Sequence, residues 1–268
     1  MLWIGASKYV AHGVAALGLI GLTLAGAPQG AAADELQEIK EAGVLKMAMS
    51  GAYPPFNFVN DENQVVGFDP AIGAGIAERM GVKPEIVTTA WDGIIAGLLA
   101  GRYDTIVGSM TITPQRQEVL DFVGPYYRAG RAVFVASDSP AEGLSDLEGK
   151  TIGVTLGETH EKWAREQDAD WTLRTYKGLP ELLLELQNGR IDAIIVDNIP
   201  VRVAIEKSGA EIRQLSTPNI EGGSVEVGIA IRKGNPELKA AMQKALDDMM
   251  ADGTYKEIAL QWIGADIR

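Results

Sequence analysis

The sequence contains no cysteine. That absence excludes disulfides, thiol catalysis and anchoring through a lipidated N-terminal cysteine. Histidine is scarce as well: of two residues only His160 lies beyond residue 33, so a histidine-rich metal cluster has no basis. No glycine loop of the phosphate-cradling kind occurs, and after residue 33 no apolar run reaches membrane-spanning length. Positive charge is in deficit. Against 36 Asp and Glu stand 24 Lys and Arg, a formal charge of −12, which argues against nucleic acid or an anionic membrane as partner. We expect no metal, no cofactor and no nucleic acid.

What is present begins with a leader. Lys8 is the only Lys or Arg before residue 34, and an apolar run follows from Val10 to about Ala27. Pro28-Gln29-Gly30 breaks that run, and Ala31, Ala32 and Ala33 form a small-residue cleavage site before Asp34. The order predicts a signal peptide over residues 1–33, cut after Ala33, and a soluble exported protein. A membrane anchor is the competing reading, because the run is near the lower spanning limit. Export without disulfides is acceptable here, since residues 34–268 are long enough to bury a core.

Beyond the leader, β-branched apolar runs alternate with helical patterns. Val44–Ser50, Glu85–Thr89, Thr105–Gly108, Ala132–Ala136, Thr151–Val154, Ala193–Val196 and Val225–Ile231 read as strands. Pro70–Met80, Ile94–Ala100, Pro114–Leu120, Glu161–Gln167, Pro180–Gln187 and Ile199–Lys207 read as helices, and Pro236–Trp262 as amphipathic helices closing the first lobe. Gly51–Asn57, Ser137–Gly149 and Ser216–Ser224 read as loops. Alternation of this kind predicts an α/β fold of βαβ units with mostly parallel sheets.

An internal echo divides the chain. Leu99 to Val107 and Leu186 to Val196 each run from a helix end through a glycine and Arg-x-Asp into a buried strand. We read two similar α/β lobes: residues 34–130 with 226–268, and residues 131–225, which include the crossings. Ala132–Ala136 and Val225–Ile231 fit two crossover strands, which make a hinge around a cleft.

The segment Gly108–Arg116 carries most of the functional signal. Ser109, Thr111 and Thr113 alternate with Met110 and Ile112, so an extended backbone would put three hydroxyls on one side. Thr113-Pro114 is a helix start, with Arg116 one turn in. Two readings stay open from these residues alone: a receptor for a small carboxylate or phosphate, or an ordinary capped helix with a surface arginine.

Further motifs occur in order: Gly51 to Phe58 (Gly-Ala-Tyr-Pro-Pro-Phe-Asn-Phe), Gly67-Phe68-Asp69, Trp91 to Ile94, Gly101 to Asp104, Asp121 to Tyr127, Gly153 to Gly157 and Asp192 to Asp197. With Ser109–Arg116 they make the chain similar to family 3 of the bacterial extracellular solute-binding proteins over essentially everything after residue 33. One departure is Ala71, where the family usually has a second acidic residue after Gly67-Phe68-Asp69; we take that position as a matter of the helix face.

The resemblance implies a type II, Venus-flytrap periplasmic-binding-protein fold that closes on a free polar L-amino acid or derivative. It implies delivery of that ligand to the membrane permease of an ABC importer, by a periplasmic protein expected to be a monomer and not an enzyme. Residue by residue, it implies Arg116 on the α-carboxylate with Thr111, and the backbone near Thr159 completing that site from the other lobe. Ser109 and Asp197 hold the α-ammonium, and Tyr53 and Trp91 sandwich the side chain. Asp197 also reads as a helix N-cap, and Thr111 as a locally bonded strand hydroxyl. At the position of Ser50 the family often has an acid that meets a cationic side chain. Serine there weakens the case for such ligands unless Glu158 supplies the charge. Glu158 and His160 face either the cleft or solvent, Trp163 reads as core, and Asp168 and Asp170 as solvated.

Two other classes remain. Some proteins resembling this family are dehydratases of arogenate- or prephenate-like acids, with Glu158 or Asp197 as the candidate acid or base here. A receptor ectodomain would need a downstream membrane segment, which this sequence does not contain.

Overall fold

The structure is a computed structural model that describes residues 34–216, 220 and 224–268. The expected leader, its cleavage site and parts of the loop over 216–224 lie outside the described residues. Among the described residues no helix is long and apolar enough to cross a membrane.

Helix α1 (Glu35–Ala42) opens the described chain, with Asp34 accepting from the Leu36 amide at 3.0 Å as N-cap and Gly43 ending it in the left-handed region. Then come β1 (Val44–Met49), the short strands β2 (Ala52–Tyr53), β3 (Asn57–Val59) and β4 (Val65–Val66), and α2 (Phe68–Arg79). Next are β5 (Lys83–Thr88), α3 (Ile94–Leu99), β6 (Thr105–Thr111), α4 (Pro114–Val119) and β7 (Leu120–Ala136). The second half contributes β8 (Thr151–Thr155), α5 (Thr159–Arg165), β9 (Thr172–Tyr176), α6 (Leu179–Gln187), β10 (Ala193–Asp197), α7 (Asn198–Ser208) and β11 (Ile212–Gln214). Finally β12 (Ser224–Arg232), α8 (Pro236–Asp252) and α9 (Thr254–Trp262) return to the first half.

The main sheet runs β5-β1-β6-β12-β7-β10-β8-β9, with β11 also on β7. Ladders made through helical crossovers are parallel: β1 with β5 and β6, and β8 with β10 and β9. Those of β7 with β10, β11 and β12, and of β12 with β6, are antiparallel. The expectation of mostly parallel sheets is therefore corrected. β6 and β7 run the same way, but β12, which returns from the second half of the chain, lies between them and runs against both, and β7 continues past it to meet β10 head to tail.

Strand β7 is also far longer than the expected Ala132–Ala136. Its Leu120–Gly130 portion pairs with β12, ending at Ser224 opposite Gly130, and its Arg131–Val135 portion pairs with β10. One uninterrupted strand thus belongs to both lobes.

The echo has a common structural meaning. At the end of α3, the Asp104 amide donates to the Lys46 carbonyl at 2.9 Å and its carboxylate accepts from the Lys46 amide at 2.7 Å. At the end of α6, Asp192 does the same to Thr151, at 2.8 Å each way. Each aspartate clamps the start of the neighbouring parallel strand, saturating backbone groups at the sheet margin.

The largest apolar cluster packs Met47, Phe56, Phe68, Ile72, Tyr126 and Met249 among others. Helices α8 and α9 close over α2, and Tyr255 of α9 donates to the Tyr126 carbonyl at 2.6 Å. A second cluster, with Val133, Val154 and Ile195, takes partly buried Trp163 and Trp171 against it. Asp168 and Asp170 are exposed.

Candidate functional site

Four strands, β1, β6, β8 and β10, deliver their carboxyl ends to one place, where ligands of open α/β sheets bind. The pocket there is lined by Ser50, Tyr53, Trp91, Gly108, Ser109, Thr111, Arg116, Glu158, Thr159, His160 and Asp197. All ten residues singled out from the sequence stand on it, including Glu158 and His160, whose orientation the sequence left open. The cavity that these walls enclose is small, about 20 Å³.

On the first-lobe wall, Thr113 caps α4 by accepting from the Arg116 amide at 3.2 Å. Arg116 is partly buried, donates from Nη1 to the Thr111 carbonyl at 2.8 Å, and lies 5.8 Å from the centre of the Trp91 ring. Among the described residues no carboxylate lies within ion-pair distance of it. Burial lowers its pKa, and the charges of Glu158 and Asp197 oppose that effect. The guanidinium keeps donors free toward the pocket, so a local surface salt bridge does not account for it.

Ser109 departs from the expected extended run of hydroxyls. Its φ is +61°, a sparsely populated conformation for a side-chain-bearing residue, and the β6–β12 register shifts beside it. A buried network over-determines that turn. The Ser109 amide donates to the Tyr126 hydroxyl oxygen at 2.9 Å, and its own hydroxyl donates to Asp69 at 2.8 Å. Asp69, fully buried, also accepts from Tyr126 and from Asn57, each at 2.6 Å. Asn57 in turn accepts from Ser50 Oγ at 3.0 Å and the Gly51 amide at 2.9 Å. Sequence reasoning missed Asp69, Asn57 and Tyr126 as supports, although each lies in a motif quoted above. An ionisable residue within the apolar Phe68–Ile72 stretch was the available signal. Ala71 lies on α2 away from the pocket lining.

The second-lobe wall is acidic. Asp197 occupies the N-cap position of α7, yet its side chain makes no capping bond. It is 7 % exposed; Oδ2 accepts from Tyr53 across the cleft at 2.6 Å, and Oδ1 has no hydrogen-bond partner among the described residues. His160, 4 % exposed, brings Nε2 within 3.3 Å of that Oδ1, while its Nδ1 accepts from Arg131 Nε at 3.2 Å. Burial pushes the Asp197 pKa up, but His160, Tyr53 and Arg131 together bring it below its ordinary value. Arg131 also stacks 4.8 Å over Trp163. Glu158 likewise stands at a cap position, that of α5, without capping. Burial raises its carboxyl to about 7, with Asp197 adding to the rise and His160 and Arg116 opposing it.

The lobes meet on either side of this pocket at two glycines. A methyl at Gly157 would stand 2.9 Å from Asp92 Cα, and one at Gly178 would stand 2.6 Å from the Ala52 carbonyl oxygen. Gly178 has φ −177°, which any residue adopts. We expect Gly178→Ala to fold normally, with unchanged melting in the absence of ligand, but to weaken ligand binding about tenfold, the equivalent of ~1.4 kcal/mol of overpacking in the closed form. Titration calorimetry checks this; wild-type affinity would remove Gly178 from the closure contact.

Comparison with known proteins places this geometry. The model of bacterial extracellular solute-binding proteins, family 3, matches residues 45–265. The L-cystine-binding protein TcyJ of Escherichia coli (strain K12) is 34% identical over 239 residues, covering 88% of this chain and 89% of TcyJ. A crystal structure of a variant of ArgBP from T. maritima superposes with a TM-score of 0.79 at 32% identity, covering 85% of this chain and 99% of that one. The ancestral amino acid-binding protein AncCDT-1, a precursor of cyclohexadienyl dehydratase, gives a TM-score of 0.78 at 33% identity, covering 86% and 100%. With the two-lobed sheet, the strand shared between lobes and the pocket at the strand ends, these matches establish that the chain belongs to family 3 of the bacterial extracellular solute-binding proteins.

Proposed function

We propose that this protein captures an L-amino acid, or a close derivative, between its lobes and delivers it to the permease of an ABC importer. The observation that carries the reading is a pair of opposite charges in one pocket. The Arg116 guanidinium has free donors on one wall, and the buried Asp197 carboxylate keeps unused acceptor capacity at Oδ1, beside His160, on the other. Such a pocket complements a zwitterion at both ends. Arg116 with Thr111 and Thr159 takes the carboxylate, Asp197 with Ser109 takes the ammonium, and Tyr53 and Trp91 flank the side chain. Because Ser109 spends its proton on Asp69, its oxygen is left as the acceptor an ammonium needs.

We place the lobe boundaries at residues 34–130 with 226–268, and 131–225, where β7 changes partner between Gly130 and Arg131. The protein works in the periplasm as a monomer, after cleavage behind Ala33.

A thermal-shift screen over the amino acids, cystine and opines tests the proposal. A ligand at about 100 times its Kd adds about 2.7 kcal/mol of stability, which reads as a clear rise in melting temperature. No rise with any of them would overturn it. One observation favours a dehydratase as second reading: a cleft carboxyl near 7, Glu158, is suited to general acid work. Under our reading, arogenate and prephenate show no turnover in the absorbance assay.

A further inference from the structure

Three charged groups line the cleft, and an amino-acid backbone uses only two of them. Arg116 is matched by an α-carboxylate and Asp197 by an α-ammonium, so the carboxylate of Glu158 is left over. Among the described residues nothing neutralises it by a direct bond. Glu158 stands at the N-cap position of α5 without capping, and no hydrogen bond or ion pair to its side chain is made among the described residues. The groups facing it are His160 of α5 itself, Asp197 at the end of β10, Arg116 of α4 and Tyr53 of β2.

None of these is free to serve as its counter-charge. Tyr53 donates its hydroxyl proton to Asp197. His160 accepts from Arg131 at Nδ1 and turns Nε2 toward Asp197, 3.3 Å away, so whatever charge it offers Glu158 is shared with Asp197. Arg116 faces the α-carboxylate in the reading above. On the opposite wall, Ser50 donates to Asn57 and accepts from the Ala52 amide, so it brings no charge of its own.

We propose that Glu158 is the specificity-determining residue of the cleft and that the preferred ligand carries a second cationic nitrogen, which Glu158 receives. This rests on the amino-acid reading. Ligands of that chemistry include L-lysine and L-arginine, whose second charge is on the side chain, and L-cystine, whose second charge is another α-ammonium. A neutral side chain would leave an unpaired carboxylate enclosed by the closed lobes, a costly state unless a proton is taken up.

Linkage gives the sign of the pH effect. With the carboxyl near 7 before binding, an arriving cation favours its ionised form, and a proton leaves. Affinity for a ligand with a second cationic nitrogen therefore rises with pH through about 7, whereas that for L-glutamine does not.

The test is titration calorimetry of the wild-type protein and Glu158→Gln with L-lysine, L-arginine, L-cystine and L-glutamine at about pH 5.5 and about pH 8. In the wild type, at least one of the first three should bind about tenfold or more tighter than glutamine at the higher pH, and lose that margin at the lower. Glu158→Gln should collapse the ratio and abolish its pH dependence. A strongest response from cystine locates the second nitrogen on an α-carbon, and one from lysine or arginine locates it on a side chain; either supports the inference. Wild-type preference for glutamine at both pH values overturns it while leaving amino-acid binding intact. So does a ratio unchanged in Glu158→Gln. Binding of no amino acid at any pH overturns both readings. Should the variant fail to fold, the wild-type pH series decides.

Discussion

Replacing Arg116 by alanine is expected to abolish measurable amino-acid binding while the protein stays folded. The side chain contributes one hydrogen bond to the fold, from Nη1 to the Thr111 carbonyl, worth about 0.5–1.5 kcal/mol net. Toward the ligand it offers parallel donors for both carboxylate oxygens. Removing them leaves an anion enclosed without a partner, at a cost of about 2–5 kcal/mol or more. That converts to roughly 30-fold to several-thousand-fold in Kd. Calorimetry reads the loss, and circular dichroism melting checks the fold. Arg116→Lys should fall between, because an ammonium is a point charge and cannot match the planar fork. Unchanged affinity in Arg116→Ala would sink the carboxylate assignment.

Asp69→Ala is expected to be the most destabilising single change at the site, although Asp69 does not line the pocket. It would strand three buried donors: Tyr126 Oη, Asn57 Nδ2 and Ser109 Oγ. Each unsatisfied group costs about 1–3 kcal/mol, so a total of about 3–5 kcal/mol is reasonable under mildly acidic conditions. That is a large part of an ordinary domain's stability. The effect depends on pH. Burial raises Asp69 from 3.8 to about 6, its three hydrogen bonds notwithstanding. A raised folded-state value means that folding favours the protonated form; this stability is fully present below the unfolded value and is lost as pH rises through about 6. The difference between wild type and Asp69→Ala should therefore shrink between about pH 4 and about pH 7, by up to about 3 kcal/mol. Urea unfolding across that range measures it. A difference that widened with pH would show that the hydrogen bonds to the charged form outweigh its burial.

The contrast between Arg116 and Asp69 also shows what could be read from residue order. Arg116, Asp197 and Glu158 carry local signatures, since each lies at a strand-to-helix junction where a cap is expected. The structure adds that Thr113 caps while Asp197 and Glu158, in equivalent places, do not. Capping is a local bond; Asp197 forgoes it for Tyr53, far away in sequence, and Glu158 forgoes it for no partner among the described residues. The support beneath Ser109 was illegible for the same reason. Its hydrogen-bonded partners are separated by as many as 57 residues, and the turn at Ser109 depends on Asp69 and Tyr126 rather than on its neighbours. Among elements, the inner strands β1, β6, β8 and β10 were plain because they are largely buried and apolar. Strand β9 was not, being a sheet edge with little buried surface. The first part of β7 was hidden by Gly124, Pro125 and Gly130, which spoil a strand pattern that pairing with β12 restores. Helix α1 carries a cap, a terminal glycine and an apolar pair, Leu36 and Ile39, on one face, but in eight residues that stripe is only one turn long.

Because β7 passes unbroken from one lobe to the other, the molecule behaves as a lever with its fulcrum inside a strand. Arg131 is the first residue beyond the change of partner, and Asp197 is its rung-mate across the ladder. A group one rung from a fulcrum sweeps a short arc. Glu158 and Thr159, carried on the β8–α5 junction one strand further out, sweep longer ones. When the lobes swing, the Arg131–Asp197 rung travels least and the outer contacts travel most. Under the proposed assignment of Asp197, an incoming zwitterion finds its ammonium site close to where it will finally lie, and the distance closed by the swing is covered by the parts of the wall that meet the rest of the solute.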